Sequence, residues 1–261
     1  MIMKTNFTPW SISIKGPLIT AFGILLGIVA AFPVQAQEIP IANAPKKENV
    51  FRKGYIRVGI SQFPENEMNF SQSPIQNLEN GQFGASTGYV FELGRNYYFN
   101  KKSSGIIKYG LDWTIISANY AELDWTAYAA HRQQIPISKE AFHYFSISSK
   151  LGPVISIKAV EALVIDLRAQ VGIGMHAMLV DYYEGDTDYI TMVGGDNPLD
   201  SASEPSIYPS FGVTLRRKAI GLAVDYFKQT VSMKYETESI EYGNVDIPIA
   251  TTQVKLVFSF K

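Results

Sequence analysis

Regular alternation of apolar and polar residues is the feature that most limits what this chain can fold into. From Leu163 to His176 every odd-numbered residue is apolar, and the even positions include Asp166 and Arg168. A period of two residues indicates a β-strand with one apolar and one polar face. This run covers 14 residues, whereas strands of globular proteins usually have about 5–6. The pattern therefore predicts long strands with two different environments.

Eight segments alternate in this way and are predicted to be antiparallel strands. Short turns and long loops alternate between them, as in bacterial outer-membrane barrels. The long loops are predicted at 64–86, 121–140, 179–206 and 235–248. The strands are predicted near 54–63, 87–99, 106–120, 141–158, 163–178, 207–217, 220–234 and 249–261. The sequence thus predicts an all-β fold, an eight-stranded antiparallel up-and-down transmembrane β-barrel over residues 54–261.

The first 36 residues have the pattern of an export signal. Lys4 and Lys15 precede the apolar run Leu18–Phe32, and a small residue, Ala36, follows. A basic segment, an apolar segment of about 7–15 residues and a small residue at the cleavage site describe a secretory signal peptide. The alternative, an uncleaved transmembrane helix, needs about 20 apolar residues. We expect Sec-dependent export with cleavage after Ala36, and a flexible periplasmic leader at 37–53.

Composition excludes several classes of protein. A net charge of −1 argues against a basic nucleic-acid binder. Without cysteine the chain has no disulfide framework and no cysteine-based zinc site. A soluble sheet also alternates, so a secreted or periplasmic soluble barrel is the rival fold. The long strands, the aromatic residues near the strand ends and the separation of an apolar from a charged face on each strand favour a wall that faces lipid.

Aromatic residues near the strand ends are predicted to form girdles at the two membrane interfaces. On the short-turn side these are Tyr97, Tyr98 and Phe99. On the long-loop side they are Tyr120, Trp125, Phe142, Tyr144, Tyr208 and Tyr235.

Facing the apolar side of each strand toward lipid places ten charged residues in the lumen. Eight strands enclose a space that side chains just fill, and unpaired charges there would be costly. We therefore expect a salt-bridged lumen with Asp112 opposite Lys150 and Asp225 near Lys255; a narrow polar channel is the alternative. The predicted lumen residues are Arg57, Glu92, Lys108, Asp112, Lys150, Asp166, Arg168, Arg216, Asp225 and Lys255.

Three parts of the chain resemble small outer-membrane β-barrel proteins of Gram-negative bacteria, the OmpA/OmpX/OmpW-like and PorT-like group. They are the segment Gly88–Gly94 (GYVFELG), the segment Leu151–Val154 (LGPV) and the alternating last strand. The resemblance spans about 54–261 and implies location in the outer membrane. It also implies a terminal signal for the barrel-assembly machinery, which we assign to Val254, Leu256, Phe258 and Phe260. Members of this group usually end on an aromatic residue, whereas here Lys261 follows Phe260.

Two features leave room for chemistry. His176 has lumen parity and is predicted to lie near Ser146 or Ser148, a pairing that a lipid hydrolase could use. The chain has no Gly-x-Ser-x-Gly motif, so a structural histidine is the preferred interpretation. The acidic segment 181–188 could bind a divalent cation through oxygen ligands, although it lacks the EF-hand spacing. No metal or cofactor is predicted.

Charge is divided between the two ends of the predicted barrel. The four long loops carry 17 acidic residues against Arg132 and Lys139.

We predict a non-enzymatic outer-membrane barrel whose acidic surface loops have structural or interaction roles. A narrow channel for small solutes is the alternative, and a lipid-modifying hydrolase is a third hypothesis. Expected partners are outer-membrane lipid and lipopolysaccharide, the barrel-assembly machinery, and a protein at the surface loops or the periplasmic face.

Overall fold

A computed structural model describes residues 50–64, 66–100, 106–132, 142–160, 162–184, 188–192, 205–237 and 240–261. The predicted signal peptide, and the predicted leader as far as residue 49, lie outside these ranges.

The described residues form ten strands and two short helices. Neither helix has the length and apolar character needed to span a membrane. The strands are β1 (Gly54–Gln62), β2 (Gly88–Tyr98), β3 (Ile107–Glu122), β4 (His143–Val160), β5 (Leu163–Leu179), β6 (Asp181–Glu184), β7 (Asp188–Thr191), β8 (Ser206–Arg217), β9 (Ile220–Thr237) and β10 (Ile240–Phe260). The helices are α1 (Pro74–Glu79) and α2 (Thr126–His131).

Eight of these strands close into a ring. Their order is β1, β2, β3, β4, β5, β8, β9 and β10, with every neighbouring pair antiparallel. The first and last strands pair along their whole shared length, from Gly54 opposite Phe260 to Gln62 opposite Thr252. Closure leaves the ring without a free edge, and the predicted all-β, eight-stranded antiparallel fold is confirmed.

The wall is apolar outside and polar inside. On β5 the outward side chains of Leu167, Val171 and Ile173 are exposed, whereas Asp166 and Arg168 between them are buried. A soluble barrel would bury the apolar side chains and expose the charged ones. The observed arrangement is that of a transmembrane barrel of the outer-membrane type, whose backbone groups are all paired by closure.

One β-bulge reverses the side-chain parity of β3. The register with both neighbouring strands shifts between Thr114 and Ser117, so that Ile115 and Ile116 are both exposed on the outer wall. A bulge inserts one residue into a single strand. Even-numbered residues of β3 therefore face inward between the start of the strand and the bulge, and outward between the bulge and the end of the strand.

Two of the predicted long loops contain strands, contrary to the sequence prediction. Residues 240–248, predicted as loop, belong to β10, which pairs with β9 as a long hairpin. The predicted loop 179–206 holds the small hairpin β6–β7, and β7 pairs with the end of β9 at Ile190 and Thr191. With 18 and 21 residues, β9 and β10 are longer than the roughly 9–11 residues of a membrane crossing. They project beyond the bilayer at the end that carries the long loops.

The polarity of the two faces inverts along this projecting part. On β9, Val224 and Tyr226 face outward in the membrane-level section, but Lys228 and Thr230 do so above it. Inside, Asp225 gives way to apolar residues that join those of the loops in one buried core, which we call the cap core. The cap core comprises Phe63, Leu78, Phe83, Ala121, Leu123, Trp125, Tyr128, Ala129, Phe142, Tyr144, Met178, Val180, Tyr182, Ile190, Met192, Val231, Met233, Val245, Ile247 and Ile249.

The last residues of the predicted leader pack against the barrel. Phe51 is buried, its ring contacts Tyr98 at 5.9 Å between centroids, and the carbonyl of Val50 accepts a hydrogen bond of 2.8 Å from Arg216. These residues occupy the lumen mouth at the end of the short turns, where β1 begins.

Candidate functional site

Six charged residues of alternating sign form a closed ring across the lumen, which we call the charge ring. Arg57 contacts Asp112 at 3.3 Å and Glu92 at 3.2 Å. Arg168 contacts Asp112 at 3.8 Å and Asp225 at 2.6 Å. Lys255 closes the ring, with 2.8 Å to Glu92 and an ion pair to Asp225. Every charge therefore has two partners of opposite sign, and all six side chains are almost fully buried.

Seven of the eight wall strands contribute to this arrangement. The six charge-ring residues come from β1, β2, β3, β5, β9 and β10, and Lys150 of β4 adds a further ion pair to Glu92. Tyr55, which lies nearer the short-turn end, donates its hydroxyl hydrogen to Asp112. Desolvated charges of this kind need partners of opposite sign, and the network supplies such partners from seven of the eight strands.

The eighth strand takes part by having no side chain at the critical position. Gly212 of β8 lies opposite Arg168 on one side and Asp225 on the other. A Cβ placed on Gly212 would lie 1.7 Å from Oδ1 of Asp225 and 2.6 Å from Nη2 of Arg168. The ion pair between β5 and β9 passes through the space that this glycine leaves open.

The remaining predicted lumen charges lie toward the short-turn end. Arg216 pairs with Asp166, with 2.8 Å between Nε and Oδ2. Lys108 is buried, but its Nζ faces the rings of Phe51 and Tyr98 at 5.1 and 5.5 Å from their centroids. The structure thus brings all ten predicted residues into the lumen interior and makes seven of them one connected network.

The predicted pairing of Asp112 with Lys150 is wrong. Asp112 lies opposite Gly152, and Lys150 lies opposite Thr114. Lys150 bonds Glu92 instead. The register of β3 and β4 is not set by a tight turn, because a connection of about twenty residues joins them, and the sequence prediction placed it two residues away. The predicted proximity of Asp225 and Lys255 is confirmed.

His176 belongs to a polar layer between the charge ring and the cap core. Ser146 lies opposite it in register, but the serine hydroxyl that approaches its Nε2 is that of Ser206, at 3.0 Å. Nδ1 of His176 lies 2.8 Å from the Tyr144 hydroxyl. Ser206 donates to Oε1 of Gln229 at 3.1 Å. The prediction of a partner on β4 missed this serine, because Ser206 comes from β8, beyond a long connection.

Most of the predicted long-loop girdle lies inside the molecule and does not face lipid. Trp125, Phe142, Tyr144 and Tyr208 are all buried. Trp125 packs between Tyr128, Phe142 and Tyr182, and its indole nitrogen donates to the carbonyl of Phe83 at 3.0 Å. On the short-turn side Tyr97 and Phe99 are exposed, as expected of a girdle, whereas Tyr98 faces inward toward Ser156.

A sequence signal for the cap core existed and was missed. Three apolar residues of β10, Val245, Ile247 and Ile249, occupy odd positions, whereas Val254, Leu256, Phe258 and Phe260 occupy even positions. No bulge separates them, so this change of parity means that the inner face itself changes from apolar to polar. Such an inversion is not visible when the alternation of apolar and polar residues is averaged over the whole strand.

The residues of the predicted assembly signal lie on the outer wall. Leu256, Phe258 and Phe260 are exposed and Val254 is half-buried. The ring of Phe260 covers Gly54 of β1, where a Cβ would approach it to 2.1 Å.

The acidic segment 181–188 is only partly placed, since residues 185–187 lie outside the described residues. Among the described residues no group of three or more His, Asp or Glu side chains is arranged to hold a metal ion.

No protein-family model matches the chain, and no curated protein is significantly similar to it in sequence. Among solved structures it is similar to the outer membrane protein Ail of Yersinia pestis in a phospholipid nanodisc, with 13% identity, a TM-score of 0.35, and 80% of this chain and 100% of that one covered. A crystal structure of Ail gives 10% identity and a TM-score of 0.36, with 80% and 99% covered. The outer membrane enzyme PagL gives 13% identity and a TM-score of 0.37, also with 80% and 99% covered. Because these sequence identities and TM-scores are low, the assignment of a barrel rests on the closed ring of strands and its apolar outer wall and not on these similarities.

Proposed function

We propose that this protein is a sealed, non-enzymatic outer-membrane barrel that presents a folded acidic cap at the cell surface. The observation that carries the proposal is the charge ring, which crosses the lumen with every member paired and buried. The cap core fills the barrel above it, and Phe51 lies in the mouth below. The wall then serves to hold the cap, and the cap serves as a structural or interaction surface.

The rival function is a narrow channel for small solutes, which would need a continuous water path through the charge ring. Single-channel recording in planar lipid bilayers separates the two. We expect no unitary conductance steps from the folded protein. The double variant Asp225→Ala/Lys255→Ala removes two members of the charge ring. It serves as the positive control, because its lumen is expected to be less tightly closed. Stable conductance of the unaltered protein would contradict the sealed barrel.

The polar layer around His176 supports a structural role for this histidine. If Tyr144 donates to Nδ1, the remaining proton is on Nε2 and points at Ser206, whose own hydrogen goes to Gln229. In this tautomer Nε2 has no lone pair with which to take the serine proton, as general-base activation requires. Tyr144 and Ser206 satisfy both ring nitrogens, and Ser206 is itself buried.

A hydrolase assay tests this part of the proposal. Purified barrel in mixed micelles with lipopolysaccharide or phospholipid is expected to release no fatty acid above the rate of a Ser206→Ala variant. Release that disappears in both Ser206→Ala and His176→Gln, while the fold persists, would identify an enzyme.

Outer-membrane lipid and lipopolysaccharide surround the wall in this proposal, and the barrel-assembly machinery inserts it. The acid-rich end faces outward, because the long loops and the cap lie there. A protein partner, if it binds the surface, meets the cap and its acidic loops.

A further inference from the structure

Among the described residues the exposed ionic side chains at the short-turn end of the barrel are all basic, whereas the long-loop end carries exposed acidic residues together with Lys228 and Lys234. Every exposed Asp or Glu among the described side chains lies at the long-loop end, and the four acidic residues of the wall interior, Glu92, Asp112, Asp166 and Asp225, are buried. At the short-turn end the exposed ionic side chains include four cations, which we call the basic collar. The basic collar consists of Lys53, Arg95, Lys218 and Lys261.

The basic collar lies at the rim of the lipid-facing wall. Arg95 is on the outer face of β2 opposite Gly54, the first residue of β1. Its guanidinium stacks over Tyr97 at 5.6 Å, and its neighbour on β3 is the exposed Trp113. Lys218 is in the turn between β8 and β9, on the opposite side of the ring.

Arg95 has no carboxylate partner among the described residues. An arginine facing lipid is strongly unfavourable at the bilayer midplane but nearly neutral close to the interface. Its position among aromatic side chains at the end of the strands places it at the depth of lipid headgroups. A guanidinium there is suited to a phosphate oxygen pair, which it can bind through two parallel hydrogen bonds.

We propose that the basic collar binds the phosphate groups of anionic phospholipids in the leaflet at the short-turn end. The lipid surface is favoured over a soluble acidic protein because Arg95 projects from the outer wall between apolar side chains, where lipid is the neighbour. Assigning this leaflet to the periplasmic side rests on the orientation in the proposed function; binding to anionic lipid does not.

Lipid selectivity in vesicles tests the proposal. The folded mature barrel is reconstituted in phosphatidylcholine vesicles that contain spin-labelled phosphatidylglycerol or spin-labelled phosphatidylcholine, and the ratio of their association with the protein is measured. Arg95→Gln/Lys218→Gln is compared with Lys228→Gln/Lys234→Gln, two exposed lysines of β9 at the other end. The collar variant is expected to lose preference for phosphatidylglycerol, by up to about fivefold for each charge removed, while the control keeps it.

A salt titration of the unaltered protein gives a second measurement that needs no variant to fold. Raising the ionic strength from about 0.01 M to about 1 M shortens the Debye length from about 30 Å to about 3 Å, so the preference should decline steeply. A preference that both variants retain, or that salt leaves unchanged, would overturn the proposal. So would the absence of any preference in the unaltered protein, which would leave a soluble acidic partner as the collar's ligand.

Discussion

The guanidinium of Arg168 donates to the carboxylate of Asp225 at 2.6 Å across Gly212, the residue that separates them in the wall. Two strands that are not neighbours are thereby joined inside the lumen. The contact is possible only because β8 has no side chain at this point, since a Cβ would come within 1.7 Å of Asp225.

Gly212→Ala is therefore expected to destabilise the barrel by about 3 kcal/mol or more, because separating a buried pair leaves uncompensated charges. The free energy of unfolding is measured by urea titration in lipid vesicles. Val213→Ala, which shortens an exposed side chain on the outer face of the same strand, is the control and should cost much less. Equal effects of the two substitutions would show that the ring does not depend on the space at Gly212.

Glu92 and Lys150 should behave as a coupled pair, and Asp112 and Lys150 should not. Glu92 bonds Lys150, Lys255 and Arg57, so Glu92→Gln alone is expected to cost about 3–5 kcal/mol. In a double-mutant cycle with Lys150→Met the coupling energy should lie in the range of about 0.5–3 kcal/mol. The cycle of Asp112→Asn with Lys150→Met is the comparison, and a larger coupling there would restore the pairing predicted from the sequence.

The cap should loosen without the barrel when its central side chain is removed. Trp125 is almost fully buried among aromatic rings, and Trp→Ala in a core typically costs about 3–5 kcal/mol. Trp125→Ala is expected to make the long-loop end sensitive to added protease in proteoliposomes, while heat-dependent mobility in SDS gels still reports a closed barrel. Trp113→Ala on the outer wall is the control; equal protease sensitivity of the two variants would argue against a cap that folds around Trp125.

The terminal strand is expected to support assembly through its outward aromatic residues. Phe258→Ser/Phe260→Ser should reduce the amount of folded barrel in the outer membrane, measured as the heat-modifiable band in membrane fractions. Phe145→Ser/Phe211→Ser removes two exposed rings elsewhere on the wall and should have a smaller effect. Unchanged levels of the first variant would remove the case for an assembly signal here.

The orientation can be tested with single cysteines, because the chain has none of its own. Glu79 on α1 and Lys218 in a short turn are both exposed, at opposite ends of the barrel. A membrane-impermeant maleimide is expected to label Glu79→Cys on intact cells, and Lys218→Cys only after the outer membrane is permeabilised. The reverse pattern would invert the topology and place the acidic end in the periplasm.

The alternation along β5 was enough to predict both faces of the wall, because side-chain direction in a strand is a local property with a period of two. For the same reason Arg168, Asp225 and Lys255 could be assigned to the lumen from parity alone. The length of each strand within the membrane follows from the same pattern. These features need no knowledge of which strand lies beside which.

Which charges meet in the lumen was decided only by the tertiary structure. Pairing depends on register across long connections and on the bulge at Ile115, and a shift of two residues was enough to exchange Asp112 for Glu92 as the partner of Lys150. The cap core likewise brings together Phe63, Trp125 and Ile247 from distant segments, and no local period marks Trp125, which lies between β3 and α2. Alternation is a property of each strand by itself, whereas ion pairs and a shared core exist only once the ring has closed.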